Sequence, residues 1–153
     1  MDASIRQVVA IGPLPMLLVG PDGRIRAVNA ELERLFEYPP GALEGELVEM
    51  LLPEAVASRH PELRAAYARV PTKRRMGRGR DLHGRTRTGR VLPLELGLHP
   101  FEEGGETHVL VTAVDITERK RDEERVRTAI DAAASSMILV SPTGTIELVN
   151  PAA

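Results

Sequence analysis

The sequence predicts an α+β domain in which an antiparallel sheet carries short helices on one face. The first observation is the order of patterns along the chain, which runs two strands, several short helices and then three strands. The second is a strand–turn–strand stretch at residues 16–29 that recurs at 137–150, at a constant offset of 121, with eight of fourteen positions identical. The third is a highly charged helical pattern from 117 to about 134, directly after the last strand.

Length, charge and cysteine content narrow the class of protein. A chain of 153 residues supports about one domain, and a net charge of −2 gives no strong attraction to nucleic acid or anionic lipid. The absence of Cys excludes a disulfide framework and a thiol nucleophile, and it fits a reducing compartment. The longest uncharged run, 7–21, is too short and too broken by Gly and Pro to span a membrane. We therefore expect a cytoplasmic protein with no membrane or nucleic-acid partner.

The repeated stretch indicates a strand, a tight turn, a second strand and the start of a helix. Its apolar opening, MLLV, is typical of a buried strand. Pro21 and Gly23 supply turn chemistry, since Pro fixes φ and Gly permits a positive φ. Asn29 is placed to cap the helix that follows by accepting a backbone N–H. A repeat with so long a period fits tandem small domains, so 136–153 is predicted to be the start of a second copy.

The remaining elements follow from hydrophobic spacing and turn residues. Apolar residues at helical spacing predict three helices and several short turns between them, and alternating residues predict three further strands. The predicted helices are 3–11, 30–38 and 61–70, with short turns between 43 and 51. The predicted strands are 82–87, 91–98 and 107–116, with a hairpin loop at 102–106.

The segment after the last strand predicts a polar helix with one apolar stripe. Opposite charges recur four residues apart, which stabilises an exposed helix. Val126 and Ile130 lie on one face, and a helix this polar gains little from burial by itself. Pairing with its twin in a homodimer, in the manner of a coiled coil, would bury that stripe. The alternative is a solvated spacer between two domains.

The hairpin with its closing Asn, together with VDITERK at 114–120, resembles a PAS domain. In that family an Asp-x-Thr motif ends the last strand and starts the output helix, and here Asp115 and Thr117 stand at those positions. The resemblance implies a PAS fold with a five-stranded antiparallel sheet. It divides the chain into a helical cap (1–12), the PAS domain (13–117), a linker signalling helix (118–135) and the truncated start of a second PAS domain (136–153).

Residues 52–98 resemble, more narrowly, the haem-binding PAS domain of the nitrogen-fixation oxygen-sensor kinases. The resemblance implies that His60 would be the proximal iron ligand and that Arg80 would contact bound oxygen. Leu96 and Leu98 fall where apolar distal residues lie. Iron ligation by a neutral imidazole, with distal donors that decide gas binding, is sound chemistry for such a site.

Two departures from that narrower family leave the cofactor open. Pro61 follows His60 directly, which favours the helix N-terminus for His60 instead of an inward face. Arg75 falls where an apolar pocket residue is expected. The alternative is that His60 caps or packs against the helix, with no haem and no metal. The cysteinyl-flavin photochemistry of light-sensing PAS domains is excluded because the chain has no Cys.

Signatures of catalysis are missing from the sequence. There is no Gly-rich phosphate loop, no nucleophile elbow and no clustered metal ligands. The basic stretch at 73–90 lacks the interleaved aromatic residues of a single-strand nucleic-acid site, and we interpret it as a solvated face, with an anion site next to a ligand pocket as the alternative.

The resemblance thus implies a sensory and dimerisation module with no enzymatic activity of its own. A small-molecule ligand or a partner would alter core or dimer packing, and Asp115 and Thr117 would transmit the change to the linker helix. Downstream PAS and output domains are the implied partners. A sensor histidine kinase of a two-component system is the expected parent protein, with transcription regulation as its downstream effect.

Overall fold

The computed structural model describes residues 3–76, 82–133 and 135–149. Contacts divide the chain into two compact units, one that ends at Ile116 and one that begins at Thr117. The helices of the first unit are α1 (Ala3–Ile11), α2 (Ala30–Leu35), a 3-10 helix (Val48–Leu51), α3 (Glu54–Ala57) and α4 (His60–Arg69). Its strands are β1 (Met16–Val19), β2 (Ile25–Val28), β3 (Arg74–Met76), β4 (Leu82–Arg85), β5 (Val91–Glu103) and β6 (Glu106–Asp115). The second unit contains α5 (Thr117–Asp131), β7 (Ile138–Val140) and β8 (Ile146–Val149).

All strand pairs are antiparallel, which confirms the predicted α+β class with an antiparallel sheet. The strand order is β2-β1-β6-β5-β3, and β4 also pairs with β5. The first strand therefore lies in the middle of the sheet beside the last one. Since β6 forms at the far end of the unit's sequence, the sheet is complete only when both ends of the domain have folded.

The prediction of five strands is one short of the described residues, in which the sheet of the first unit has six. The sequence indicated one strand in the basic stretch, at 82–87, and missed β3. Both β3 and β4 pair with β5, β3 along Leu96–Leu98 and β4 along Val91–Leu94. Strand β3 reads Arg-Arg-Met, and two of its three residues are exposed. Charge on a sheet edge blocks pairing with other chains, so a short charged edge strand carries little strand signal in sequence.

One face of the sheet holds the main core. Alternate residues of β1 and β5 point to this side, where they pack against α2 and the 3-10 helix. Leu43, with 0% exposure, and Leu51 come from the helical side. The buried members are Leu17, Val19, Ile25, Leu32, Phe36, Leu43, Leu51, Leu92 and Leu94.

The opposite face of the sheet is covered in part by α1. Val9 of α1 packs with Leu18 of β1 and Ala27 of β2, and all three are buried. Leu18 lies between Leu17 and Val19 in sequence, so β1 supplies both cores by simple alternation. Strand β1 is buried on both faces as a result, in agreement with its continuous apolar sequence.

Asn29 joins the first hairpin to the helix that follows it. Its side-chain oxygen accepts from the backbone N–H groups of Leu32 and Met16, both at 3.0 Å. Its amide donates to the carbonyl of Leu14 at 2.7 Å and to that of Gly12 at 3.4 Å. Asn29 is only 2% exposed. The predicted helix cap is therefore present, and the same side chain also fixes the segment between α1 and β1.

The second unit contains a hairpin that repeats the first one in register. Leu139 pairs with Leu148, and the register shifts between Leu139 and Val140. The first hairpin has the same irregularity between Leu18 and Val19, at the offset of 121. The apolar residues of β7 are exposed, as they have no core to enter within the described part of this unit.

Candidate functional site

The two predicted pocket leucines lie on the core side of β5. Leu92 and Leu94 of this strand are buried in the main core, and Leu96 packs against the same cluster. By strand alternation Leu98 lies on the same face, where it is half-buried and pairs with Val111 of β6. The face of β5 on which the sequence placed a ligand is thus the apolar interior of the domain.

His60 stands at the start of α4, with Pro61 directly after it. Its ring does not join the apolar cluster. Instead, Nδ1 lies 3.0 Å from Oε1 of Glu49, and the side chain is 26% exposed. Glu49 is on the 3-10 helix, so this bond connects two helical segments. Arg80, the predicted distal partner, lies outside the described residues.

Glu49 also accepts a second bond on the same oxygen. Nε of Arg64 lies 2.5 Å from Oε1, and one helical turn separates Arg64 from His60, which places both on one face of α4. Burial of Glu49 raises the pKa of its carboxyl group, but the bonds from His60 and Arg64 outweigh burial and lower that pKa below its ordinary value. The carboxylate is therefore charged at neutral pH, although the residue is only 9% exposed.

The guanidinium group of Arg64 rests on the turn of the first hairpin. A Cβ atom added to Gly23 would lie 2.3 Å from Cζ of Arg64, which is a severe overlap. Gly23 also has φ of 79°, a conformation that glycine adopts without strain. Its carbonyl accepts from Val48 N–H at 3.0 Å. Gly23 is therefore required for its backbone conformation, whereas a Cβ there would meet only the flexible end of Arg64, which can shift.

The sequence did not indicate that Glu49 and Arg64 form a pair. Glu49 lies among apolar residues of a short helix, and its partners follow 11 and 15 positions later, beyond the separate helix α3. No periodic signal connects such positions. An isolated carboxylate inside an otherwise apolar stretch, LVEMLL, is the one feature that could have drawn attention to it.

A second missed residue is Glu37, which follows the end of α2. It adopts φ of 63°, the left-handed region that is uncommon for residues with a side chain. Its carboxylate accepts from Thr88 Oγ1 and pairs with Arg90 at 3.2 Å. The hydroxyl of Thr88, first among several donors, lowers the pKa of Glu37. These contacts hold the end of α2 against the turn between β4 and β5.

Haem was the cofactor that the sequence left open, and the placement of His60 does not fit it. A haem ligand must project from the wall of an apolar slot. Here the imidazole is bonded to a charged carboxylate beside a guanidinium group. Leu43 and Leu51 on the helical side are packed into the main core. The surroundings of His60 therefore do not fit a haem ligand.

The predicted transmission residues lie where the sheet ends and α5 begins. Asp115 is the last residue of β6 and pairs with Leu94, which is buried in the core. Ile116 is 5% exposed, and its N–H donates to the carbonyl of Pro93 at 3.1 Å. Thr117 is the first residue of α5. The junction is thus held directly against the core strand β5.

The predicted stripe on α5 is present as a surface feature. Val126 is 55% exposed, Ile130 is half-buried, and no residue of α5 is buried. Among the described residues there is no group of three or more side chains that could hold a metal ion. Within the same residues, no helix combines the length and apolar character needed to cross a membrane.

Over residues 12–121 the sequence matches the protein family described as PAS fold. It is also similar to Sensor protein FixL of Bradyrhizobium diazoefficiens, with 26% identity over 126 residues. That alignment covers 82% of this chain and 25% of the relative. The chain therefore spans about a quarter of the length of this curated relative.

Solved structures with the same fold come from distant proteins. The PAS domain of BvgS from Bordetella pertussis has a TM-score of 0.62 and 18% identity, over 85% of this chain and 96% of that one. The PAS domain of an HTR-like protein from Haloarcula marismortui has a TM-score of 0.60 and 18% identity, over 74% and 90%. A LOV protein from Rhodobacter sphaeroides has a TM-score of 0.64 and 15% identity, over 84% and 76%. At these identities the likeness concerns the fold alone.

Proposed function

The chain belongs to the PAS family, and from that premise we propose that it senses a small molecule or a partner and passes the change on through α5. The observation that carries this proposal is the junction at Asp115. The residue opposite Asp115 on β5 is Leu94, a member of the main core. A shift of β5 on ligand binding would therefore move the strand end from which α5 starts.

We propose further that the module belongs to a larger signalling protein with a histidine kinase output in a two-component phosphorelay. The likeness to a protein named as a sensor supports a signalling context. The residues that match the PAS family belong to a sensory module. This agrees with our proposal that the segment has no catalytic activity of its own. A homodimer paired through α5 and a cytoplasmic location complete this proposal.

Residues 136–153 are proposed to begin a second PAS domain. The repeated sequence, the repeated hairpin and the shared register shift support this reading. In the first copy the corresponding strand, β1, is covered on both faces and paired on both edges. A signal that reached α5 would thus arrive at a further domain of the same kind.

The proposal can be tested with a ligand screen and hydrogen exchange. A ligand that binds only the folded chain raises the melting temperature, so co-purified molecules identified by mass spectrometry can be tested in this way. Ligand binding should change amide exchange in α5. Asp115→Ala should keep the melting-temperature shift but lose the change in α5. Glu106→Ala, at the other end of β6, is the control and should behave as the wild type. A bound ligand that leaves α5 exchange unchanged in the wild type would contradict the proposed transmission.

The haem alternative has a separate test. Because His60 is bonded to Glu49, we expect that haem supplied during expression gives no stoichiometric Soret band in the purified protein. A haem-loaded wild type whose band disappears in His60→Ala would establish His60 as the ligand and replace the proposal of a haem-free sensor. Retention of haem with weaker oxygen binding in Arg80→Ala would support the distal role that the sequence resemblance implied.

A further inference from the structure

The helical segment formed by α3 and α4 takes no part in the core. Both helices are described completely, and neither has a buried residue. Leu63 is 55% exposed and Val70, directly after α4, is 73% exposed. A helix that buries no apolar side chain lacks the usual source of helix stability in proteins. Polar contacts must therefore hold this segment to the domain.

Two of the polar contacts of α4 meet at one carboxylate oxygen, while near its end the ring of Tyr67 lies 4.8 Å from the guanidinium of Arg74 on β3. His60 and Arg64 lie on the same face of α4, and both reach Oε1 of Glu49, at 3.0 Å and 2.5 Å. We call these three residues the Glu49 clasp. Bonds to a charged carboxylate are stronger than neutral ones, so two of them can hold a helix that packing does not.

Glu49, the residue of the clasp that lies outside α4, belongs to a well-packed part of the domain. Glu49 is followed closely by Leu51, which is 4% exposed in the main core. Val48, just before it, donates its N–H to Gly23 of the first hairpin. The guanidinium of Arg64 lies against that same glycine. The clasp thus joins a loosely packed helix to a well-packed hairpin and 3-10 helix.

The second carboxylate oxygen of Glu49 lowers the free-energy cost of opening the clasp. Oε2 is buried and has no hydrogen-bond partner among the described residues. Such a buried acceptor carries an uncompensated loss of hydration. When α4 moves away, water can reach Oε2, which offsets part of the cost of breaking the bonds to Oε1. In the closed position, therefore, only one of the two carboxylate oxygens of Glu49 has hydrogen-bond partners among the described residues.

We propose that α3 and α4 form a lid that opens as a unit while the sheet stays folded, and that the Glu49 clasp holds it closed. Local opening of this kind occurs in segments with few buried apolar contacts. The lid is independent of the identity of the signal. It adds to the proposed sensor a segment that a ligand or partner can open without unfolding the domain.

Hydrogen exchange of the complete 153-residue chain tests the lid directly. Glu49→Gln removes the charge and keeps the shape of the side chain. We expect the backbone amides of α4 to exchange about tenfold faster in this variant, because two charge-assisted bonds are weakened. The amides of β1 and β5 should keep their wild-type protection. Glu62→Gln removes an equal charge from the exposed first turn of α4, so it loses only a small helix-dipole interaction and should accelerate exchange in α4 clearly less than Glu49→Gln.

Two results would overturn the proposal. If exchange in α4 is the same in Glu49→Gln and in the wild type, the clasp does not hold the lid. If α4, β1 and β5 all lose protection by the same factor, the clasp stabilises the whole domain and α4 is no separate lid. Arg64→Gln breaks the clasp from the α4 side and should also accelerate exchange in α4 while β1 and β5 stay protected. Because this variant does not alter the 3-10 helix, it separates loss of the clasp from a direct effect on that helix.

Discussion

At the scale of single residues, Asn29 makes four hydrogen bonds from one buried side chain. It bonds to Leu32, Met16, Leu14 and Gly12. Asn29→Ala removes a helix cap, worth about 1 kcal/mol, and leaves buried backbone groups unpaired at about 1–3 kcal/mol. We expect urea unfolding to show a loss of roughly 2–4 kcal/mol. Glu31→Ala, which loses an exposed ion pair and a charge in the first turn of the same helix, should cost less than about 1 kcal/mol.

The sequence predicted half of what Asn29 does. Its role as a helix cap follows from local rules, because the bonded N–H of Leu32 lies three residues away. Its bonds to Leu14 and Gly12 depend on how the chain returns after the hairpin, and no local rule contains that path. His60 is a similar case. The helix start next to Pro61 could be predicted, but the bond to Glu49 depends on the relative position of two helices.

At the scale of elements, the link between α4 and the 3-10 helix should depend on pH. The pKa of Glu49 is lowered from its ordinary value of 4.5 in the folded state. Its charged form therefore stabilises the fold fully above that ordinary value, and this contribution is lost as pH falls through the lowered folded value. We expect the unfolding free energy of the wild type to exceed that of Glu49→Gln above the ordinary pKa of this group. The difference should shrink below about pH 4.5.

Chemical unfolding at a series of pH values measures this difference. Glu62→Gln again serves as the control, since the exposed side chain of Glu62 lies on α4. A wild-type advantage that stays the same down to pH 3 or below would show that the charge of Glu49 does not carry the link.

If α5 pairs with its twin as proposed, the pairing should depend on one stripe. Replacing both Val126 and Ile130 by Asp would place two charges in an apolar seam, so sedimentation should shift from dimer to monomer. Arg121→Asp changes the net charge by the same amount on the opposite side of the helix, and it should leave the dimer intact. A dimer that survives the double substitution would rule out pairing through this stripe.

Elements with strong periodicity could be predicted from sequence, and those without it could not. The amphipathic α1, the alternating β5 and the charged α5 were all indicated by spacing. Strand β3 was not, because three residues with two exposed charges carry no alternation. The end of α2 at Leu35 was also missed, since the left-handed conformation of Glu37 is maintained by Thr88 and Arg90 from a distant turn.

At the scale of the whole molecule, the two copies of the repeated strand can be compared within one chain. Leu17, Leu18 and Val19 are at most 7% exposed, whereas their counterparts Ile138, Leu139 and Val140 are 56%, 46% and 50% exposed. An isolated two-stranded hairpin is only marginally stable in water. We expect strong hydrogen-exchange protection at 17–19 and nearly none at 138–140 in the monomeric chain. Strong protection at 138–140 in a monomer would contradict this.

The long hairpin of β5 and β6 has a consequence for the order of folding. Its ten Cα pairs, from Leu94–Asp115 to Glu103–Glu106, close over Gly104 and Gly105, whose φ values of 62° and 79° suit a tight turn. Strand β1 joins only through contacts such as Leu17–Val111, which require closure of nearly the whole domain. The hairpin should therefore be formed in the transition state and β1 should dock afterwards.

Stopped-flow kinetics would distinguish the two steps. Gly105→Ala, strained at its positive φ, should slow refolding roughly in proportion to the stability it loses and leave the unfolding rate unchanged. Leu17→Ala should leave refolding nearly unchanged and accelerate unfolding. Strand β1, whose sequence is repeated at 137–140, would then dock late together with β2, which pairs with it, so that every folding molecule passes through a stage in which the slot beside β6 is open.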